Sequence, residues 1–457
     1  MFYTIVQMKN LYFFLFLIQV VPMHSQCWQS ITTGLGFSLG ITSDNSIWAW
    51  GSNYNGQYGN DTNIDINQPQ HSDLGQDWTS VKAGGYHVLA IKGDGTLWAW
   101  GANANGQLGN NTQIPSNVPI QIGTDNNWRF IEAGDQFSVA IKTDGTLWSW
   151  GQNTSGQLGN GIATRLKVPT QVGTSNQWAS VSAGYTHMEA IKTDGSLWAT
   201  GSNNAGMLGN NSEVAVNSLI RIGTSNSWAS VSAGYSFTIA LKTDGTLWSW
   251  GDNAAGSLGQ GNFSDRSTPT QVGTGTWLVA NAGSYHVVAI KSDGTLWAWG
   301  RNTQQQLGDG TTLVRNTPMQ IGTETDWLNT MPANTHSLAL KTDYSLWGWG
   351  SNFNGEIGDA TNINRSVPVP VTCSQLNIAV FNAAPLHIYP NPTSDILFIK
   401  TASGVVAEKV EVYNVLGQLI KSSYRTSFVS VSGFPAGTYI ISTLIDGIKL
   451  QSKFVIQ

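Results

Sequence analysis

WTSVKAGGYHVLAIKGDGTLWAWGANANGQLGNNTQIPSNVPIQIG, residues 78–123, decides the fold because the chain repeats it. Its first tryptophan belongs to the series Trp28, Trp78, Trp128, Trp178, Trp228, Trp277 and Trp327. Its second belongs to Trp48, Trp98, Trp148, Trp198, Trp248, Trp297 and Trp347. Each series advances by 50 residues, with one step of 49. Trp50, Trp100, Trp150, Trp250, Trp299 and Trp349 follow two residues after members of the second series, so all 20 tryptophans lie on one ruler. A period of about 40 to 50 residues filled by short strands and turns marks propeller blades. The repeats therefore predict an all-β fold, a seven-bladed β-propeller, and the alternating strands after residue 386 add a small C-terminal β-sandwich.

Within the repeat, Tyr86 to Lys92 and Thr96 to Trp100 are β-rich runs separated by Asp94-Gly95, the strongest short-range hairpin signal. A two-residue loop there pairs Ile91 with Trp98, Ala90 with Ala99 and Leu89 with Trp100. That register puts the small Ala90 position, Ala in six copies and Gly40 in the first, on the opposite face from the tryptophans. Large indoles on one face and small residues on the other suit sheet packed on sheet. Gly101, Gly106 and Gly109 recur from copy to copy and suit turns needing positive φ or close backbone approach.

Only 11% of residues are charged and 40% are hydrophobic, which is the balance of a folded chain. Residues 27–374 hold 15 Lys or Arg against 23 Asp or Glu, a net of −8, the wrong sign for a phosphate-binding surface. The composition thus argues against nucleic acid as a partner. At the N-terminus Lys9 precedes an apolar run over residues 11–21, too short to span a bilayer and suited to the core of a secretory signal. Residues 1–25 read as a signal peptide, starting at Met1 or at Met8, and no other segment reads as transmembrane. Cys27 and Cys373, the two cysteines, bracket the repeats. Closing the ring brings them to one seam, where an exported protein gains from a disulfide.

The AG dipeptide followed by His, the D-G hairpin and the WGxNxxGQLG segment resemble the regulator of chromosome condensation repeat. The resemblance implies a seven-bladed propeller over about 350 residues. That family includes a nuclear nucleotide exchange factor and secreted bacterial propellers that bind β-lactamases. The secretory signal and acidic charge here depart from the nuclear members, so exchange activity is not expected. From residue 386 the period and all tryptophans stop. IYPNPTSDILFIK, VEVYNVLGQLI and FPAGTYIISTLIDGIKLQSKFVIQ then resemble the C-terminal sorting domain of type IX secretion substrates, with Tyr389-Pro390-Asn391-Pro392, a turn at Gly417 and Gly437-Thr438-Tyr439 in order. The domain boundaries follow: signal 1–25, propeller 26–374, linker 375–385, sorting domain 386–457. The resemblance implies export by the type IX machinery to the medium or to an outer-membrane surface anchor.

Several constellations bear on function. His87, His187, His286 and His336 share a position with Phe37, Phe137 and Phe237. Interchange with phenylalanine points to a packed site rather than a metal centre. Lys92, Lys142, Lys192, Lys242, Lys291 and Lys341 recur beside the hairpin turn and read as a solvated edge that discourages strand pairing. Asp61, Asn63, Asp65 and Asn67 imitate a calcium loop, but Ile66 stands where it needs Gly and Ser72 where it needs Glu. The fourth repeat departs most: Glu189 replaces an aliphatic residue and Thr200 replaces the second tryptophan. In the register above these two face each other, opening a polar slot lined by His187, Glu189 and Thr200 that holds a small ligand, anchors a partner or is filled by water.

There is no GxSxG, HExxH or P-loop, and no cofactor is implied. The segments that vary between copies, 110–118, 160–168, 210–218, 259–268, 308–317 and 358–367, read as binding loops on a rigid scaffold, with Arg165, Lys167 and Arg221 as charged anchors. Arg266, Arg315 and Arg365, each three residues before a proline, are alternatively structural. The sequence reading is a secreted or surface-anchored, non-enzymatic scaffold for an extracellular protein or glycan. The alternative is a glycan-active enzyme using Glu189. Peptide mapping of the exported protein under non-reducing conditions should return Cys27 linked to Cys373; recovery of both as free thiols would contradict the pairing.

Overall fold

The computed structural model describes residues 28–372, 387–400, 407–414, 419–445 and 448–457. The signal segment, the linker, the turn at Gly417 and both cysteines lie outside the described residues. Chain contacts divide the protein into two compact units, 1–373 and 374–457.

The first unit is a wheel of seven four-stranded antiparallel sheets. The first blade runs β1 (Trp28–Thr33), β2 (Phe37–Thr42), β3 (Ser46–Gly51) and β4 (Ile66–Gln76). The second, typical of the rest, runs β5 (Trp78–Ala83), β6 (His87–Lys92), β7 (Leu97–Gly101) and β8 (Ser116–Gln121). First strands of neighbouring blades contact one another, so they line the axis. Every blade is a contiguous segment and no strand crosses into a neighbouring sheet. The loops after the first and third strands therefore share one end of the wheel, and the hairpin turns occupy the other.

The hairpin register differs by one residue from the sequence expectation. Ile91 pairs with Leu97, Ala90 with Trp98, Leu89 with Ala99 and Val88 with Trp100. The loop holds three residues, Gly93 to Gly95, because Gly95 at φ 80° follows a tight turn. Gly95 N–H donates to Lys92 O (2.9 Å) and Lys92 N–H to Thr96 O (3.1 Å), the three-residue hairpin with a left-handed third position. The Asp side chain fixes this choice: Asp94 Oδ1 accepts from Thr96 N (3.0 Å) and Thr96 Oγ1 (2.6 Å), and Thr96 Oγ1 accepts from Trp98 Nε1 (2.9 Å).

A one-residue shift moves every side chain to the other face, so Ala90 lies on the same face as the indoles. Its smallness makes room for the blade's own tryptophan. A Cβ built on Gly40, its counterpart, would fall 2.4 Å from the Trp28 ring. Each inter-blade core joins two unlike faces. Leu39, Ile41, Ile47 and Ala49 of the first blade pack against Trp78, Val81, Val88 and Trp100 of the second. Burying one such indole contributes on the order of 2–3 kcal/mol. Trp100 Nε1 also donates to Gln57 O of the preceding blade (2.7 Å), as Trp150 does to Gln107 O (2.8 Å).

The recurrent lysines are not a solvated edge. Lys92 Nζ sits 4.8 Å from the Trp78 ring and 4.4 Å from the Trp98 ring, and the other five repeat the placement. A cation over an indole face is attracted by the ring quadrupole, at about 0.5–2 kcal/mol each. The shifted register carries these lysines onto the indole face.

The buried Asn of WGxN shapes the long loop. Asn103 Nδ2 donates to Ile114 O (2.9 Å) while its Oδ1 accepts from Leu108 N (3.0 Å). Gly109 has φ 84°, and a Cβ there would meet Trp150 of the next blade at 2.8 Å. In the sixth blade Gln305 takes the Gly106 place and still holds φ 66°. The calcium-like stretch is an ordinary loop in which Asp65 Oδ1 caps Asn53 N (2.7 Å).

The second unit holds a three-stranded sheet (His387–Tyr389, Ile396–Lys400, Phe428–Ser430) and a four-stranded one (Leu419–Thr426, Ala407–Asn414, Gly437–Ile445, Ile448–Ile456). Leu397, Val410, Val412, Val429, Ile441 and Phe454 form its core.

The four histidines each serve a different blade junction. His87 Nε2 meets Ser138 Oγ of the next blade (2.9 Å), and Ser138 Oγ donates to Gln107 O (2.7 Å). Because the hydroxyl proton is spent on the carbonyl, Nε2 carries the proton and donates. His187 meets Thr238 (3.2 Å), His286 meets Ser337 (2.8 Å) and His336 meets Ser38 of the first blade (3.1 Å). Where the position is Phe37, Phe137 or Phe237, the next blade offers Val88, Met188 or Val287 instead. Burial pushes the imidazoles down, to about 3 for His87, so they stay neutral. His87→Phe alone should cost about 1–2 kcal/mol by stranding Ser138, and His87→Phe with Ser138→Val should restore most of it. Chemical denaturation of the two single variants and the double variant checks this; additive losses would refute it.

Candidate functional site

The corrected register dissolves the slot expected in the fourth blade. Glu189 pairs with Ala199, and Thr200 pairs with Met188, so the two side chains leave opposite faces of the sheet. Thr200 faces the third blade, where Oγ1 donates to Gly156 O (3.0 Å). Gly159 there is approached by Thr200 Cγ2, Leu219 Cγ and Met188 Cε, whereas Gly109 in the preceding junction meets Trp150 and Pro169. Met188 and Leu219 thus fill the volume of the missing indole.

Glu189 faces the fifth blade and is fully buried. Its Oε1 lies 3.5 Å from Thr238 Oγ1 and its Oε2 has no hydrogen-bond partner. Thr238 Oγ1 accepts from His187 Nε2 and gives its own proton to Met207 O (3.0 Å). Burial therefore raises the Glu189 carboxyl well above the usual range and favours its neutral form. His187 and Glu189 are brought together, but inside a blade junction with no face open to a ligand.

The charged anchors separate. Arg165 Nη1 donates to Ala104 O (2.9 Å), and a Cβ on Gly106 would lie 2.8 Å from Lys167 Cγ. Both therefore fasten the third blade's outer strand to the second blade's long loop. Arg221 ends the fourth blade's outer strand at the hairpin end, where Nη2 donates to Thr224 O (3.1 Å). Arg315 and Arg365 brace their own loops through Asp309 and Asp359.

The residues that do converge lie on the axis, at the end carrying the long loops. The tripeptides after the first strands bond blade to blade there: Leu35 N to Gly85 O, Asp135 N to Gly184 O, Tyr235 N to Ser284 O. Their variable positions make an arc. Tyr185 and Tyr235 stack with centroids 4.2 Å apart, Tyr235 and Tyr285 follow at 4.9 Å, and the Arg301 guanidinium sits 5.5 Å from the Tyr285 ring. Asp135 closes the arc beside Tyr185, accepting from Gln136 Nε2 (2.8 Å). Burial raises Asp135, its charge raises the Tyr185 phenol, and burial pushes Tyr285 up to about 12. Together these loops line an axial cavity of about 120 Å³.

At the same end of the wheel the long loops present large apolar side chains at one recurrent position. Ile64, Ile114, Val214, Leu313 and Ile363 are each at least 60% exposed, and Tyr54 and Phe353 stand beside them.

A family model described as an RCC1-like domain matches residues 16–321, more than half of the chain. The chain belongs to that family. A second model, the secretion system C-terminal sorting domain, matches residues 387–457, so this RCC1-like protein is secreted or attached at the outer-membrane surface. Among solved structures, Prp20p from Saccharomyces cerevisiae is similar at 19% identity and TM-score 0.67, over 77% of this chain and 89% of that one. Human WBSCR16 is similar at 21% identity and TM-score 0.63, over 69% of this chain and 87% of that one. At such identities the likeness speaks for the fold. No curated protein sequence matches significantly. Among the described residues no helix is long and apolar enough to cross a membrane.

The axial arc of this RCC1-like propeller escaped sequence reasoning. Its signal was present: between the AG dipeptide and the His or Phe, the copies read GY, DQ, YT, YS and SY in blades two to six. For Glu189, the native state keeps a proton that the unfolded chain releases above the usual glutamate value of 4.5. Stability therefore falls as pH rises from there toward the raised folded value, by up to about 1.4 kcal/mol per pH unit. Glu189→Leu, restoring the residue type of other blades, should remove that slope and stabilise the protein at pH 7 by about 1–3 kcal/mol. Denaturation at pH 4.5 and 7 in both proteins tests it; parallel profiles would refute it.

Proposed function

We propose that this secreted RCC1-like propeller is a binding scaffold for an extracellular protein or glycan, seated on the end that carries the axial arc and the long loops. One observation carries the reading: the tyrosines and the aspartate by which otherwise matching blades differ gather on that end, which also carries the recurrent exposed apolar tips. Exposed apolar groups rimmed by polar ones are a feature of interaction surfaces. Tyr and Arg supply rigid contact area at small entropic cost and dominate binding hot spots. The glycan-enzyme alternative loses its carboxylate, since Glu189 has no surface to offer a substrate. Export through the sorting domain puts this end where extracellular ligands are met. Cys27 and Cys373 fit the same reading: their neighbours Trp28 and Val371 share one buried cluster at the seam, so a disulfide there would close the ring covalently.

Capture from surface extracts by the full chain tests the proposal. Tyr235→Ala with Phe353→Ala, at the loop end, should weaken capture of the recovered ligand by at least about tenfold. Tyr344→Ala with Leu328→Ala, away from that end, should leave it unchanged. The opposite pattern would move the binding surface elsewhere.

A further inference from the structure

The axial mouth is lined by a carboxylate, Asp135, and, among the described residues, by no Lys or Arg. Asp135 is 8% exposed and lines the cavity. Its hydrogen-bond partner is the neutral Gln136 amide, the Tyr185 phenol lies within electrostatic reach, and no ion pair to it is found among the described residues. A Cβ on Gly85 would fall 2.3 Å from Asp135 Oδ1, so the missing side chain leaves space for the carboxylate. Beneath the mouth the channel widens among the first strands, where Lys82 and Glu132 neutralise each other at 3.0 Å. Among the described residues no Lys or Arg lines the mouth beside Asp135, the Arg301 guanidinium lying instead against Tyr285. Tyr185 and Tyr235 wall the mouth with aromatic rings, which attract cations.

The volume of about 120 Å³ is several times the space one water needs, enough for a short alkyl chain ending in an ammonium group. We infer that the axial mouth binds an alkylammonium group, with Asp135 as its counter-ion and Tyr185 and Tyr235 as its aromatic wall. This rests on the loop end being the binding surface and names one chemical element of the ligand. The group belongs either to a lysine side chain on a protein partner or to a free amine.

Titration of the full chain with n-butylammonium, with n-butanol and with Nα-acetyl-lysine amide, followed by NMR or calorimetry, tests the assignment. Butylammonium should bind and butanol should not. Asp135→Asn should weaken butylammonium binding at least about tenfold. Tighter binding of the lysine amide than of butylammonium assigns the site to a protein lysine, and the reverse assigns it to a free amine. Equal binding of butanol and butylammonium, or undiminished binding by Asp135→Asn, overturns the inference; the comparison of ligands on the unaltered protein stands even if the variant misfolds. Because these probes need no natural partner, their failure is separate from failure of partner capture by the loop end.

Discussion

The wheel depends on one interface, the junction between successive blades. No strand is shared between sheets, so the backbone ladders that hold each blade do little to hold the ring. Side chains carry that load, through an indole-filled face meeting an aliphatic one and through a single pair at the inner edge. In that pair a buried imidazole meets a hydroxyl, or a phenyl meets an aliphatic group, and the mixed combinations do not occur. A histidine against valine would leave Nε2–H unbonded, and a phenylalanine against serine would strip the hydroxyl of the donor it accepts from. Either costs more than a matched pair contributes. The seam between the seventh and first blades obeys the same rule through His336 and Ser38, and Trp50 Nε1 donates across it to Glu356 O (3.0 Å).

The hairpin end shows how a few polar groups can hold a large apolar surface in place. Asp94 fixes Thr96, Thr96 holds the Trp98 indole by Nε1, and Lys92 lies over that indole and over Trp78. Hydrogen bonds from Thr96 keep the Asp94 carboxyl below the usual range, so the motif is anionic where its cationic neighbour lies close. A protein with few charges spends many of its lysines and hairpin aspartates on orienting tryptophans. The low charge fraction and the repeated placement of those charges have the same cause.

Much of this was legible in the sequence. The period gave the blade number because tryptophan spacing survives any local error in strand pairing. The register did not survive, since Asp-Gly serves both a two-residue turn and a turn followed by a left-handed glycine. Asn45 and Tyr344, at φ 62° and 63° in the glycine's place, show that the third loop position is fixed by the turn rather than by residue type. That single residue of slip moved Ala90 to the wrong face, paired Glu189 with Thr200 and hid the lysine contacts. The His-to-hydroxyl rule, by contrast, was present in the one-dimensional pattern and needed only the knowledge that position 87 meets position 138 in the next blade.

The fourth blade separates structural from functional divergence. Thr200, Met188 and Leu219 depart together because they share one space, and Glu189 departs alone into a buried junction where it weakens packing without gaining access to solvent. Neither change reaches a surface. The tyrosines of the axial arc depart in the opposite sense: Tyr185, Tyr235 and Tyr285 come from three blades and from two sequence offsets, yet their rings meet in one continuous stack. Copies that drift independently have no reason to place aromatic rings in register across blade boundaries, and the frame does not need them, since the first and seventh blades close the same ring of loops with Leu35 and Asn334. A feature that the scaffold can do without, assembled across several repeats and open to solvent at its rim, is where selection for binding is to be sought.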